Sequence, residues 1–189
     1  MSNCSRPDAR RRALLAFGAA WALPAASAPA RVEPFDAGTW AALQREVNGR
    51  RKPMLVVFSA TWCAVCPDVI ERLAGDTRRT RAGVPLLVVL ADVAPGEADA
   101  RLLASAHYRR ADRLLAFDGP NAAIRHAVDP QWRGVSPAVA WLAPGERRQF
   151  VQGAPASADL QRWYATALPN PAAPHPNAGP GAPPRNRLP

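Results

Sequence analysis

The 189-residue chain has almost no lysine and few aromatic residues. Lys52 is its only lysine, so the net charge of +9 comes from arginine. The arginines are scattered, several of them beside acidic residues, and form no basic stripe interleaved with aromatic side chains, as a bound nucleic-acid strand requires. We therefore expect no nucleic-acid partner.

Cysteine and histidine are also scarce, with three residues of each. A closed zinc site needs four ligands, and the sequence has neither a second Cys-x-x-Cys pair nor paired histidines. We therefore expect no such metal site. Two thiolates alone can hold Cu(I), so a copper-binding function stays open as an alternative.

No long hydrophobic run marks the amino-terminal region. The apolar run 13–23 has 11 residues, whereas a membrane-spanning helix needs about 20. A charged leader precedes this run and small residues follow it, which is the layout of a secretory signal peptide. We predict a cleaved signal peptide over residues 1–30, with cleavage after Ala30, and a periplasmic location for the exported protein. Cys4 would leave with the signal, which makes Cys63 and Cys66 the only cysteines of a protein in a compartment where disulfides persist.

The carboxy-terminal segment 169–189 has eight prolines and almost no large apolar residue. Such a segment cannot bury enough surface to offset the entropy of ordering, so we predict a disordered tail. The folded domain is predicted over residues 31–168.

Between these ends, apolar patterns alternate between helical and strand types. The order predicts an α/β fold with a mixed central sheet of about four or five strands and helices on both faces. The predicted helices are 36–49, 66–75, 96–108, 120–128 and 157–168, and the predicted strands are 53–60, 84–93, 112–118 and a hairpin over 136–155.

The pair Cys63 and Cys66 follows the predicted buried strand 53–60. A helix that starts at or just before Cys63 would expose this residue to unpaired N–H groups and favour its thiolate, while Cys66 would lie one turn further in. Cys63 would then attack a substrate disulfide and Cys66 would resolve the mixed disulfide. The linker residues Ala64 and Val65 donate no proton, which favours a reductant or mild oxidant.

The segment "VVFSATWCAVCPD" resembles the active-site segment of the thioredoxin superfamily, and "RGVSPAVAWL" resembles its second mark, a cis-proline before the hairpin. The segment "LLAFDGPNAAIRHAVDPQWRG" is most similar to exported TlpA-like thiol–disulfide proteins. The resemblance implies a thioredoxin-like fold and a thiol–disulfide oxidoreductase without a bound organic cofactor. It also implies that Ser136 and Pro137 shape the substrate-docking site, and Trp62 is predicted to shield the disulfide and contact partners.

The resemblance further implies protein thiols and disulfides as substrates. Electrons would come from a membrane thiol reductant and pass to an exported client, such as an apocytochrome or a copper-site protein. Two alternatives stay open: a copper chaperone that uses the same two thiolates, and a non-catalytic thioredoxin-like interaction module. Trp132 and Arg133 either line a partner groove or pack within a loop.

One position departs from the pattern of many thioredoxins. Six residues before the first cysteine, where a buried acid often assists the resolving thiol, this chain has Val57. Asp68 and Glu71 could replace that acid only if the helix turned them back toward Cys66.

Overall fold

The computed structural model describes residues 28–146 and 148–168. The predicted tail 169–189 lies outside these residues, as does the predicted signal peptide apart from residues 28–30. No helix within the described ranges is long and apolar enough to cross a membrane.

The described residues form one six-stranded mixed sheet in the spatial order β1-β4-β3-β2-β5-β6. The first four strands of this order pair in parallel, and β5 and β6 add antiparallel pairs at one edge. The strands are β1 (Val32–Phe35), β2 (Met54–Ser59), β3 (Leu86–Leu90), β4 (Arg113–Phe117), β5 (Ala138–Leu142) and β6 (Gln149–Gln152).

Helices cover both faces of this sheet. Residues of α2, α4 and α6 join one buried cluster, and residues of α1 and α5 join the cluster on the opposite face. The predicted α/β fold class is thereby confirmed. The helices are α1 (Ala37–Arg50), α2 (Cys66–Ala74), α3 (Thr77–Ala82), α4 (Asp99–Ala104), α5 (Asn121–Val128) and α6 (Ser157–Ala167), and a 3-10 turn spans Tyr108–Arg110.

Strand β2 explains why the sequence shows an unbroken apolar run before the cysteines. Every residue of β2 is buried, because both faces of this inner strand are covered. Successive side chains of a strand point to opposite faces. Leu55 and Val57 accordingly pack with α2, whereas Val56 and Phe58 pack with α1.

The sheet has one strand more than the four or five predicted. The missed strand is β1, which has four residues and contains Pro34. Pro34 disfavours a strand in a sequence pattern, but β1 is an edge strand, where a residue without an N–H donor is tolerated. The helix predicted over 96–108 is also shorter, because α4 ends at Ala104 and the 3-10 turn follows.

A second missed element is α3. Arg78, Arg79 and Arg81 lie in this separate helix, which begins two residues after Gly75. The side chain of Asp76 caps it by accepting hydrogen bonds from the backbone N–H groups of Arg78 and Arg79.

The pairing of β1 with β4 includes an ion pair whose effect depends on pH. Arg113 Nε and Nη2 donate to Glu33 Oε1 and Oε2 at 3.1 and 2.6 Å. The hydrogen bond from Arg113 lowers the pKa of Glu33 below its usual 4.5, although burial opposes this. A carboxylate with a lowered folded pKa stabilises the protein above its unfolded pKa, and this contribution is lost as the pH falls through the folded value.

We therefore expect Glu33→Gln to cost up to about 1 kcal/mol at neutral pH, because the pair is partly exposed. The stability difference from the wild type should shrink as the pH falls below 4.5. Urea denaturation across this range measures it. Exposed Asp118 gives the control variant Asp118→Asn. A difference that stays constant down to the acid limit contradicts the assignment.

Candidate active site

The two cysteines lie in the loop where β2 passes into α2. The Cys63 N–H donates to the Ala60 carbonyl at 3.0 Å, and the Cys66 N–H donates to the Cys63 carbonyl at 3.3 Å. These turns bring the two Cα atoms to 5.5 Å, and the sulfurs form a disulfide. The loop thus places a closed Cys-x-x-Cys ring at the end of the sheet.

The two sulfur-bearing residues differ in burial in the order that the sequence predicts. Cys63 is 7% exposed and Cys66 is 1% exposed. The helix, however, begins at Cys66, three residues later than a helix starting at Cys63 would. Cys63 therefore lies outside the first turn of α2. The helix dipole stabilises its thiolate less than the sequence predicts, because the effect of the dipole falls off within about one turn.

A second loop reaches the same end of the sheet. Strand β5 pairs antiparallel to β2, with Ala138 opposite Phe58, so Pro137 comes level with Ser59. The Ser136-Pro137 bond is cis, as the resemblance implied. The Pro137 carbonyl accepts a hydrogen bond of 2.7 Å from Gly153, whose positive φ of 90° suits a residue without a side chain.

A Cys-x-x-Cys pair therefore connects an inner parallel strand to a helix that begins at the second cysteine, and a cis-proline precedes the neighbouring antiparallel strand. The chain has the architecture that the resemblance to the thioredoxin superfamily implies. Its TlpA-like subtype stays a prediction.

Three solved structures with low sequence identity to this chain are similar to it. No protein-family model and no curated protein matches it. Among solved structures it is similar to dsbF of MTB in mixed oxidized and reduced forms, with 14% identity and a TM-score of 0.43, covering 62% of this chain and 82% of that chain. It is similar to a secreted Mycobacterium tuberculosis disulfide oxidoreductase homologous to E. coli DsbE, with 17% identity and a TM-score of 0.44, covering 64% and 84%. It is also similar to a thiol:disulfide interchange protein, a thioredoxin family protein from Chlorobium tepidum TLS, with 17% identity and a TM-score of 0.41, covering 67% of this chain and 85% of that chain. These similarities are remote, and an activity has to be inferred from the site itself.

Apolar side chains are exposed around the two loops. Trp62 is 71% exposed and Val65 is 55% exposed, and both adjoin a cysteine in the sequence. Val135, which precedes Ser136 and Pro137, is 48% exposed. Ser136 is half-buried and Pro137 is buried. Large apolar side chains left in water beside a reactive pair are typical of a surface that contacts a partner.

Trp132 is not part of this exposed surface. It is 5% exposed, and its ring packs against Phe58, with centroids 4.7 Å apart. Its indole N–H donates to the Val135 carbonyl at 3.0 Å. Of the two alternatives for Trp132, packing within the loop is therefore the one observed, whereas Arg133 is exposed.

Neither carboxylate of α2 replaces the acid that is missing at Val57. Asp68 and Glu71 are exposed, while Cys66 is on the buried side of the helix. Glu71 instead lies near His107, where burial lowers the pKa of the imidazole and the Glu71 charge raises it. Within residues 28–146 and 148–168, no three His, Cys, Asp or Glu side chains gather into a metal-binding group.

Asp92 is a residue of the site that sequence reasoning missed. Its carboxylate accepts from the Thr61 N–H at 2.9 and 3.0 Å and from the Thr61 hydroxyl at 2.6 Å. Thr61 lies two residues before Cys63, so Asp92 holds the entry to the cysteine loop. In the sequence, Asp92 could have been found from its position near the carboxyl end of the predicted strand 84–93 of the parallel sheet, because functional residues often lie where the carboxyl ends of parallel strands meet.

We expect Asp92→Ala to destabilise the protein by about 1–3 kcal/mol, because a carboxylate that accepts three hydrogen bonds is lost and the Thr61 N–H loses its partner. Chemical denaturation measures the change. Limited proteolysis should also show faster cleavage near residues 60–63. Exposed Asp68 provides the control variant Asp68→Ala. Equal stability of the two variants contradicts the anchoring role.

Proposed function

We propose that this chain is an exported, periplasmic thiol–disulfide oxidoreductase that reduces disulfides of exported proteins. The observation that carries the proposal is the Cys63–Cys66 disulfide, with the first cysteine more accessible than the second. A disulfide that closes so short a loop constrains little chain, so a purely structural role is disfavoured.

Cys63 is the nucleophile in this proposal. Its thiolate attacks one sulfur of a substrate disulfide, and the other substrate sulfur leaves as a thiolate. Cys66 then attacks Cys63 Sγ, releases the second substrate thiol and restores the disulfide that the structure contains. Two electrons pass to the substrate in each cycle, and the reaction needs no bound cofactor.

Trp62, Ser136 and Pro137 form the proposed docking surface. Trp62 offers exposed apolar area beside Cys63. The cis-proline loop brings the Ser136 backbone to the same edge of the sheet, where an extended substrate segment can hydrogen-bond to it.

The proposed direction is reduction, because Ala64 and Val65 place no charge or hydrogen-bond donor between the cysteines to stabilise a thiolate strongly. The reducing electrons would come from a membrane thiol carrier. An apocytochrome or a copper-site protein is the proposed client. The predicted signal peptide supports the exported location, and the segment 114–134 supports a TlpA-like subtype.

A redox titration of the wild-type protein against dithiothreitol tests the proposal. A reduction potential near about −270 mV supports a reductase, whereas a value near about −120 mV overturns the direction and makes the protein an oxidant. Turnover of a protein disulfide such as insulin, with dithiothreitol as the reductant, tests the activity itself. Stoichiometric, tight Cu(I) binding without turnover would support the copper chaperone. A protein that neither turns over a disulfide nor binds Cu(I) would be an interaction module.

A further inference from the structure

A buried hydroxyl lies at the end of β2, behind the cysteine loop. Ser59 is fully buried, and its Oγ is among the buried side-chain atoms of the described residues that have no hydrogen-bond partner. A buried polar group without a partner is costly, and native proteins keep few of them. Ser59 Oγ therefore calls for a role that the oxidised protein does not show.

The position of Ser59 places this hydroxyl on the side of Cys66. Leu55 and Val57 pack in the cluster that contains Val69 and Ile70 of α2. Ser59 is the next residue of this alternating series, so its side chain points to the same face, at the end of β2 from which the chain passes to α2. The Ser59 side chain is therefore on the face of the sheet that α2 covers.

Tyr108 supplies a second hydroxyl beside the first. It is 5% exposed and belongs to the same buried cluster, on the 3-10 turn that packs against α2. Burial raises the pKa of Tyr108, and a weak side-chain hydrogen bond with Ser59, outside ordinary hydrogen-bond geometry, opposes this rise. The negative charge of Asp92 also raises the pKa of Tyr108, and the positive charge of Arg101 lowers it. Ser59 and Tyr108 therefore place two hydroxyl groups near each other on this face of the sheet.

Cys66 needs a polar neighbour when the disulfide is open. At 1% exposure its thiol has almost no contact with water. Val57 offers no polar atom, and Asp68 and Glu71 are exposed on the outer side of α2. A buried thiol must nevertheless lose its proton before it can attack, since the thiolate is the nucleophile.

We propose that Ser59 and Tyr108 form a hydroxyl pair that hydrogen-bonds to Cys66 in the reduced and mixed-disulfide states and assists its deprotonation. This proposal rests on the proposed function, because it concerns the resolving step of that reaction. Ser59 acts directly on the Cys66 sulfur, and Tyr108 is a positioning residue that acts through Ser59.

The chemistry balances without another reactant. In the mixed disulfide, Ser59 takes up the proton of Cys66 while it passes its own hydroxyl proton to Tyr108, and the phenol proton of Tyr108 goes to solvent. The Cys66 thiolate, stabilised by the Ser59 hydroxyl, forms the new bond to Cys63 Sγ and displaces the substrate thiolate. That leaving thiolate takes up one proton, so the number of protons is unchanged.

The first experiment titrates Cys66 alone. In the full chain carrying Cys4→Ser and Cys63→Ser, the ultraviolet absorbance of the thiolate is followed against pH. Adding Ser59→Ala is expected to raise the Cys66 midpoint by about half to one pH unit, because one hydrogen bond to the thiolate is lost. Tyr108→Phe should shift it in the same direction, and Ser59→Thr should restore it.

Tyr164 provides a matched control. It is a buried tyrosine of the same cluster, its hydroxyl also lacks a partner, and it lies on α6. Tyr164→Phe should leave the Cys66 midpoint unchanged. The proposal is overturned if Ser59→Ala leaves the midpoint in place, or if Tyr164→Phe shifts it equally. Every variant in the titration keeps the charged and titratable side chains around the pair, so a shift of the Cys66 midpoint reports the substituted hydroxyl. These side chains are Asp68, Glu71, Asp92, Arg101 and His107.

The second experiment separates the two steps in chains that retain both cysteines. A small aromatic disulfide that releases a coloured thiolate reports attack by Cys63 first and resolution by Cys66 second. Ser59→Ala should slow the second release about fivefold to tenfold at neutral pH and leave the first unchanged. Loss of the first release in the wild type contradicts the proposed function. If Ser59→Ala shows a normal first release and an unchanged second release, the role of the hydroxyl pair is contradicted but the proposed function is not.

Discussion

Replacing Cys63 by serine is expected to lower the turnover of a disulfide substrate at least about a thousandfold, to the uncatalysed background. Serine keeps the size of the side chain, but its hydroxyl is not a thiolate at neutral pH and cannot form a mixed disulfide. The loss should therefore appear in the rate of substrate reduction and not in the unfolding midpoint of the reduced protein.

Cys66→Ser should produce a different result, since its accessible Cys63 still attacks. The mixed disulfide then has no resolving thiol within the chain. We expect it to accumulate and to appear in mass spectrometry as a covalent adduct of substrate and protein.

The two variants together distinguish the proposed roles. Cys4→Ser is the control and should keep full turnover, because Cys4 lies in the predicted signal peptide, outside the described residues. An adduct formed by Cys63→Ser but not by Cys66→Ser would reverse the roles. Full turnover by Cys63→Ser would remove the oxidoreductase proposal and favour an interaction module.

Much of the architecture follows from apolar patterning, because buried elements carry the strongest pattern. The run 53–60 marks β2, whose six residues are all buried, and Gly75 marks the end of α2. Asp36 marks the start of α1, where its carboxylate accepts from the Thr39 N–H at 2.6 Å. In each case local chemistry and tertiary burial agree, so the sequence is sufficient.

The missed elements depend on contacts between segments far apart in the chain. Strand β1 has four residues and a proline, and its pairing with β4 about eighty positions later stabilises it. Helix α3 has almost no apolar residue, since its sequence is TRRTRA. No periodicity can reveal elements that owe their burial to a distant partner.

The candidate site divides in the same way. The cysteines and the cis-proline were found because short motifs carry them. Asp92 and Tyr108 were missed because only the fold brings them near the cysteine loop. Trp62 is exposed, whereas Trp132 is a core residue.

Arg79 shows how far a charged residue can depart from its sequence pattern. Its side chain is 7% exposed. Its guanidinium donates to the carbonyls of Leu73, Ala74 and Val84 at 3.0, 3.1 and 2.8 Å. It also pairs with Asp112 at 3.2 Å, and the same Asp112 oxygen accepts from the Leu86 N–H at 2.7 Å. Arg79 thereby joins the end of α2 to the start of β3.

We expect Arg79→Met to destabilise the protein by about 3–5 kcal/mol, because a partly buried carboxylate and three carbonyls lose the hydrogen bonds that Arg79 donates to them. The unfolding temperature should fall by about 10 °C or more. Arg79→Lys should recover little of this loss, since an ammonium group cannot reproduce the planar fork of donors.

Arg78→Met is the matched control, because Arg78 is the exposed neighbour on the same helix and should change stability by less than about 0.5 kcal/mol. Adding Asp112→Asn to Arg79→Met should cost less than the sum of the two single changes, since both remove the same ion pair. If Arg79→Met unfolds at the same temperature as Arg78→Met, the buried guanidinium does not stabilise the fold. Because Arg79 is at the far end of α2 from Cys66, the folded fraction of Arg79→Met should keep normal turnover well below its unfolding temperature.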